Sequence, residues 1–303
     1  MRFTIMNSFK PRKSAGLISL VLAFLLASPA QAATSPSLGA ASTFAILSST
    51  YTNTVSGTTL TGDLGYTTGP AVAPTVNGGS TYVAPSSTYT AAGTAQGTAL
   101  SALASQPCTF TFPAGAVDLA TETTHGTVGV YTPGVYCTTA SSAASIGAGG
   151  ITLNGAGTYI FRINGALTTV SNSVVTASNG ATACNVWWTP TGATTLGANS
   201  TFMGTDIDAA GITIGSTVAW TGRALAFGGT ISTSTDTLTT PTCAAAPTPS
   251  ATPAAPSAPG FPGTGTGPQA DDTLWISLII LITATVSATL YLRQNRRGIF
   301  PGR

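Results

Sequence analysis

Threonine hydroxyls that recur between apolar residues are the side chains best placed to make regular contacts in this chain. The apolar–Thr–apolar triplet is clearest at 151–153 (ITL), 194–196 (TTL) and 212–214 (ITI), and looser copies occur at 166–170 and 231–233. Successive side chains of a strand point to opposite faces, so the flanking residues go inward and the central Thr goes outward. Stacked triplets would form an uncharged ladder of hydroxyls and methyls, which suits a repetitive solid better than a small molecule.

Carboxylates and histidine are few and do not form a recognisable catalytic set. Asp206 and Asp208 would share one face of a strand, but no third partner for polysaccharide cleavage is visible, so we interpret them as edge or loop acids. Asp118, Glu122 and His125 lie close in sequence and could hold a metal, but a solvated loop is the interpretation we favour. His125 is the single His, and no GxSxG motif occurs. We therefore expect no catalytic residue, no metal and no cofactor.

The elements that position the triplets repeat every eighteen residues near the end of the domain, in the segments 185–202, 203–220 and 221–238. A period of this size predicts a solenoid, in which each coil buries its apolar side on its neighbours and adjacent strands lie about 4.8 Å apart. The alignment places Leu196 over Ile214, Phe202 over Trp220, Gly204 over Gly222 and, after one extra residue at Gly228-Gly229, Ser232 under Thr213.

One stretch breaks the β pattern. Residues 88–105 (TYTAAGTAQGTALSALAS) are rich in Ala and carry larger side chains near helical spacing. We predict a helix that lies along the solenoid.

Composition supports an ordered, β-rich domain and excludes nucleic acid as a partner. Of the 303 residues only 6% are charged and 43% are hydrophobic, whereas disordered chains combine low hydrophobicity with high charge. Between the two ends of the chain only Arg162 and Arg223 are basic, against six acidic residues. The domain is therefore mildly acidic and lacks the basic stripe that nucleic-acid binding needs.

The N-terminal residues 1–32 read as a secretory signal peptide, with a basic start, an apolar run at 17–26 and Ala30-Gln31-Ala32 as the cleavage site. Export permits disulfides. The four cysteines, Cys108, Cys137, Cys184 and Cys243, allow three pairings, and we favour Cys108–Cys137 with Cys184–Cys243. Each of these bonds would brace an excursion or an end of the domain, which we place at 33–243.

The C-terminal part of the chain reads as a stalk followed by an anchor. Residues 244–260 form a Pro/Ala/Ser-rich linker, which we expect to be extended and unpacked. Residues 274–292 carry no charge and are long enough to span a bilayer as a transmembrane helix. The arginines that follow should remain cytoplasmic.

The segments of the domain resemble, in order, those of the ice-binding protein family that has a discontinuous right-handed β-solenoid fold. That resemblance implies an all-β, triangular β-helix with one α-helix packed alongside, and ice as the partner. The segments that carry it are Leu38–Ser49 (LGAASTFAILSS), Thr61–Tyr66 (TGDLGY), Thr132–Cys137 (TPGVYC), Thr158–Ile163 (TYIFRI), Cys184–Trp188 (CNVWW) and Thr221–Ala226 (TGRALA).

The family binds ice through one flat solenoid face, and the resemblance places an outward ladder on this chain. By position its members are Thr152, Thr168, Thr195, Thr213 and Ser232. The alternative is a surface adhesin or structural wall protein on the same fold. An exposed aromatic shelf at Trp187 and Trp188 would favour that alternative, although consecutive strand residues face opposite ways and we expect one in the core and one at the surface. Nothing in the sequence requires an oligomer.

The tail is similar to a sortase sorting signal. The sequence FPGTG at 261–265, the hydrophobic segment and the arginines occur in that order within 261–303. The resemblance implies cleavage between Thr264 and Gly265 and attachment of Thr264 to cell-wall peptidoglycan. The alternative is a membrane anchor after a Pro-rich stalk, and both place the domain outside the cell.

Overall fold

The computed structural model describes residues 32–243. The signal peptide predicted at 1–32 (all but its last residue), the linker predicted at 244–260 and the sorting signal predicted at 261–303 lie outside the described residues. Short 3-10 turns occur at Gly39–Ala41 and Ala183–Asn185, and one α-helix, α1, spans Ser87–Ala104. The strands are β1 (Phe44–Asn53), β2 (Thr59–Thr61), β3 (Asp63–Tyr66), β4 (Thr75–Asn77), β5 (Thr81–Val83), β6 (Phe110–Thr111), β7 (Val117–Asp118), β8 (Val130–Tyr131), β9 (Gly134–Cys137), β10 (Ala144–Ile146), β11 (Ile151–Asn154), β12 (Tyr159–Ile163), β13 (Leu167–Thr169), β14 (Val175–Ser178), β15 (Val186–Pro190), β16 (Thr194–Leu196), β17 (Thr201–Ile207), β18 (Ile212–Ile214), β19 (Ala219–Thr233) and β20 (Thr237–Thr239).

Parallel pairing arranges these strands in three rows. The ladder row is β7-β10-β13-β16-β18-β19-β1. The helix row is β6-β9-β12-β15-β17-β19-β1-β3-β5. The pair row contains β17, β19, β20, β2 and β4, and the separate sheet of β8, β11 and β14 continues it through a bridge between Val174 and Thr201. Because β1, β17 and β19 are long enough to run through more than one row, seventeen strands join into a single curled parallel sheet.

The order of the coils in space differs from their order in sequence. β1 pairs with β19 over most of its length, with Ile46 beside Ala224 and Tyr51 beside Ile231. The N-terminal strands therefore stack against the C-terminal coil, and the middle of the chain continues on the other side of β19.

Stacked aromatic rings fill the interior of the coils. Phe161 and Trp188 stack with ring centroids 4.3 Å apart, and the series continues with a tilted contact from Trp188 to Phe202 and an edge-on contact from Phe202 to Trp220, at 5.1 Å each. Such pairs contribute about 0.5–1.5 kcal/mol each beyond the burial of their surface. The eighteen-residue repeat predicted from the sequence is confirmed, because Leu196 pairs with Ile214, Phe202 with Trp220, Gly204 with Gly222 and Thr213 with Ser232.

The helix α1 packs along the helix row, as predicted. Its buried residues include Tyr89, Ala92, Ala99 and Leu103, which join a second apolar cluster with Leu47, Ile160 and Leu225 of the sheet. Close approach of helix and sheet depends on Gly93, where an added Cβ would lie 2.4 Å from the Phe227 ring.

The helix α1 and the N-terminal segment that contains Ser35 together cover the helix row, which carries Trp187. This residue is 2% exposed, and its Nε1 donates to Ser35 Oγ at 3.0 Å, while Trp188 is fully buried in the interior. The prediction that one of the two tryptophans lies at the surface is wrong, because alternation puts Trp187 on the outer side of a strand that other elements cover.

Two disulfides close the fold. Cys108 pairs with Cys137 and Cys184 pairs with Cys243, with Cα–Cα distances of 5.9 and 5.5 Å. These are the pairings favoured from the sequence. By the entropy of loop closure, bonds spanning 29 and 59 residues stabilise a fold by about 3–5 kcal/mol each.

All the strand pairings and both disulfides just described join residues between 32 and 243, so this range can be studied by itself. Within it, no helix is long and apolar enough to cross a membrane.

Candidate functional site

Outward hydroxyl side chains of the ladder row form one column, which we call the ladder column. Thr168 pairs with Thr195, Thr195 with Thr213, and Thr213 with Ser232, so four of the five residues assigned from the sequence lie side by side. Thr168, Thr195 and Thr213 are exposed and Ser232 is half-buried. The register continues to Ser145 at one end and to Thr52 at the other.

The strands that carry the column are short and follow the triplet pattern. In β16 and β18, for example, the residues on either side of the outward Thr are buried, including Leu196, Ile212 and Ile214. Buried neighbours fix the backbone of each triplet, and the β-branched Thr has a restricted χ1 angle. Six positions at the usual strand spacing make a column about 24 Å long.

Thr152 is the exception to the predicted ladder. It lies in β11, in the three-stranded sheet, where it pairs with Thr176 of β14 and Val130 of β8. The assignment of Thr152 to the ladder is therefore wrong, because inward–outward–inward triplets occur in more than one row and the pattern alone does not say which row. The Thr152 and Thr176 hydroxyls lie 3.1 Å apart and hydrogen-bond to each other.

Sequence reasoning missed two further members of the column, Ser145 and Thr52, which are half-buried. Ser145 takes the place given to Thr152, in a triplet (Ala144-Ser145-Ile146) whose apolar flanks were a usable signal. Thr52 joins the column only because β1 stacks on β19, and its hydroxyl donates to Ser232 Oγ at 2.7 Å. No local sequence pattern predicts a pairing between residues 180 positions apart.

Asp118 ends the column beside Ser145 and is its one charged residue. Its Oδ1 accepts hydrogen bonds from the backbone of Gly147 at 2.9 Å and of Ala120 at 3.0 Å. The carboxylate therefore fixes the terminal turns, and the hydroxyl part of the column carries no charge.

Buried carboxylates hold the corners between rows. Asp208 accepts hydrogen bonds at 2.8 Å each from Ala210 N and from Thr194 N, which belongs to the first residue of the strand that carries Thr195. Asp236 accepts from Val218 N at 2.9 Å and Ser234 N at 2.6 Å, and burial raises its pKa to about 6. These groups organise the backbone at the turns that lead into and out of the outward triplets.

Asp206 lies inside the coil and is fully buried, with neither carboxyl oxygen hydrogen-bonded to a described residue. Burial, with the neighbouring Asp208 second, raises the pKa of Asp206 well above its usual value. Its interpretation as an edge or loop acid is wrong, since alternation along β17 points it into the core. A fully buried carboxyl with no access to solvent is not placed for catalysis.

The remaining titratable cluster pairs within itself. Glu122 accepts hydrogen bonds from His125 and Thr124, and the His125 ring stacks on Tyr131 with centroids 4.1 Å apart. Among residues 32–243 no group of three His, Cys, Asp or Glu side chains could hold a metal ion.

A curled parallel sheet with one helix along it, and a row of outward hydroxyls in register, defines the class of this protein. The model of the ice-binding-like family matches residues 46–239. The chain therefore belongs to the ice-binding-like family.

Several solved structures share this fold. An ice-binding protein from the Antarctic ascomycete Antarctomyces psychrotrophicus is 25% identical with a TM-score of 0.59, and the match covers 69% of this chain and all of that one. An ice-binding protein from an Antarctic bacterium of the Flavobacteriaceae is 29% identical with a TM-score of 0.59, over 70% of this chain and 49% of that one. The ice-binding protein domain of Shewanella frigidimarina is 23% identical with a TM-score of 0.59, over 70% of this chain and 100% of the domain. No curated protein sequence matches the chain.

Proposed function

We propose that this protein binds ice through the ladder column and that the fold is the right-handed discontinuous β-solenoid, triangular in section, of its family. The observation that carries the proposal is the register that sets Thr168, Thr195, Thr213 and Ser232 side by side. Ice-binding proteins among the structural neighbours support ice as the ligand.

Recognition of ice is geometric, because ice and liquid water are chemically identical. A surface selects ice when its side chains hold water molecules in positions that the lattice shares. Thr suits this role, since its methyl provides an apolar floor, its hydroxyl donates and accepts, and its χ1 angle is already restricted. Each contact is weak, so affinity comes from many aligned contacts acting together.

Rigidity of the coils supports this mechanism. The aromatic stack behind the strands and the carboxylates at the corners keep the outward hydroxyls at fixed spacing. Charged groups would orient water away from lattice positions, and the one charged residue of the column, Asp118, lies at its end.

The adhesin alternative would have been favoured by an exposed pair of tryptophans. Trp187 and Trp188 are both buried, so neither offers a face for sugar stacking. We propose no catalytic activity, since the interior carboxylates hold turns or lie in the core and the family is non-enzymatic in general.

Secretion and surface attachment are further parts of the proposal. The signal peptide at 1–32 would export the chain, and the two disulfides fit an oxidising compartment. Sortase would cut between Thr264 and Gly265 and join Thr264 to peptidoglycan, or residues 274–292 would keep the chain in the membrane. A tethered copy would hold a cell to ice or shape the ice near it.

Replacement of one central hydroxyl by a bulky ring tests the ladder column. In Thr213→Tyr of residues 33–243 the ring would stand above its neighbours and prevent the column from lying flat against a lattice. The variant should be taken up into ice less than the parent in a partitioning assay while its circular dichroism is unchanged. The matched control is Thr98→Tyr on the exposed side of α1, which should partition like the parent. Equal uptake of Thr213→Tyr and parent would show that the column is not the contact surface.

A further inference from the structure

The pair row carries two outward columns, whereas the ladder row carries one. We propose that the pair row is a second ice-contacting surface, an inference that rests on ice binding as proposed above. We call it the pair face. One column contains Thr75, Thr59, Thr237, Ala219 and Thr201, and the other contains Asn77, Thr61, Thr239, Thr221 and Met203.

The register of the pair face is continuous over five strands. Thr59 of β2 pairs with Thr75 on one side and with Thr237 on the other, and the series continues through Ala219 to Thr201. Two residues further along each strand, the second column follows the same order. The columns therefore form a grid with spacings of about 4.8 Å between strands and about 6.7 Å along them.

Large inward side chains fix the strands of this grid. The residue between the two outward positions is Leu60, Leu238, Trp220 or Phe202 in four of the five strands, and each of these is at most 1% exposed. An outward pair on so firmly packed a backbone has little freedom to shift. The grid therefore rests on a packed backbone, as the ladder column does.

Exposure and chemistry both fit contact with ordered water. Seven of the ten grid positions are Thr and none is charged, and only Thr59, Thr239 and Met203 are half-buried, the other positions being exposed. None of the seven Thr hydroxyls makes a hydrogen bond to another described residue, whereas at one end of the ladder column Thr52 and Ser232 bond to each other. All seven hydroxyls are thus free to bind water.

Outward Thr also follows from β propensity alone, but propensity does not require two aligned columns with unbonded hydroxyls. β19 runs through both rows, with Ala219 and Thr221 on the pair face and Ser232 in the ladder column. One molecule therefore presents two separate hydroxyl arrays, each of which would meet the lattice in its own orientation.

The test compares the planes that fluorescently labelled residues 33–243 decorate on a single growing ice crystal. We expect Thr237→Tyr, on the pair face, and Thr213→Tyr, in the ladder column, each to lose a different subset of the planes that the parent decorates. The double variant should lose all of them. Circular dichroism of each variant checks the fold.

Each contrary result has a distinct meaning. If Thr237→Tyr decorates the same planes as the parent, or if Thr213→Tyr alone abolishes all decoration, the pair face is not a contact surface. The ladder proposal then stands provided that Thr213→Tyr loses planes. If Thr237→Tyr abolishes all decoration while Thr213→Tyr changes nothing, the pair face stands and the ladder proposal fails. Exclusion of the folded parent from ice overturns both.

A gain of contact gives an independent check that does not depend on a disruptive ring. Ala219→Thr completes the first column with a residue that favours strands, and we expect it to increase ice partitioning above the parent. Unchanged partitioning of this variant, in a parent that binds ice, would contradict the inference.

Discussion

Four corner residues that separate the ladder row from the pair row have left-handed backbone conformations, and two of them are threonines. Asn172, Asn199, Thr217 and Thr235 have φ values of 64°, 59°, 60° and 61°. A left-handed conformation costs a residue with a Cβ about 1–2 kcal/mol, and Asn visits it more readily than a β-branched residue does. The chain itself uses Asn at two of these corners, so Thr235→Asn should stabilise the fold.

The expected gain follows from the contacts that Thr235 would lose. Its hydroxyl donates only to the adjacent Ser234 carbonyl, at 2.6 Å, at a half-buried position. Relief of the backbone strain should therefore exceed that loss and leave a gain of about 1 kcal/mol. For a domain of this size, 1 kcal/mol raises Tm by about 2–4 °C. Thr217→Asn should gain less, because the Thr217 hydroxyl also donates to Asn199.

Thermal and urea unfolding of residues 33–243 would measure this gain. The matched control is Thr54→Asn, an exposed Thr outside the left-handed set, which should leave the free energy of unfolding within about 0.5 kcal/mol of the parent. A Thr235→Asn variant that is no more stable than Thr54→Asn would refute the reasoning about corner strain.

Three further predictions follow from the core, the helix and the tail. Burial raises the pKa of Asp206 above its unfolded value near 3.8, so the contribution of this carboxyl to stability is complete below that value and is lost as the pH rises through the folded pKa. In urea unfolding at pH 5 and pH 9, the free energy of unfolding should therefore depend less on pH in Asp206→Asn than in the parent, and equal dependence would contradict this prediction. Gly93→Ala puts a methyl against the Phe227 ring and should lower the free energy of unfolding by about 1–3 kcal/mol. Gly97→Ala, where the added Cβ meets nothing, should raise it by up to about 1 kcal/mol, and equal effects of the two variants in urea unfolding would contradict the role of Gly93 in packing. Thr264→Ala should move the full chain from the wall fraction to the membrane fraction of the cell, and no shift on immunoblotting would favour the membrane anchor.

Local patterns predict those parts of the fold that repeat at constant length. The segments between 185 and 238 repeat every eighteen residues, so Phe202 over Trp220 follows from alignment alone. Thr213 beside Ser232 follows once the extra residue at Gly228-Gly229 is allowed for. The helix was also predictable, because its apolar spacing differs from that of the strands around it.

Non-local pairing explains what the sequence did not reveal. Earlier coils are longer and unequal in length, so the sequence did not distinguish the row of Thr152 from the row of Thr168. The stacking of β1 on β19, which brings Thr52 beside Ser232, leaves no periodic trace. Only part of the pair face follows from the repeat, because Thr201, Ala219 and Thr237 are eighteen residues apart, whereas its β2 and β20 meet only through that stacking.

The measurement that bears most directly on the central claim is ice-affinity partitioning of purified residues 33–243, folded and with both disulfides formed. A growing ice crystal rejects most solutes, so the protein should be enriched in the ice fraction only if its surface joins the lattice. We expect enrichment in ice over the remaining liquid. Exclusion of the folded protein from the ice would contradict the proposed function and leave only the fold of the ice-binding-like family.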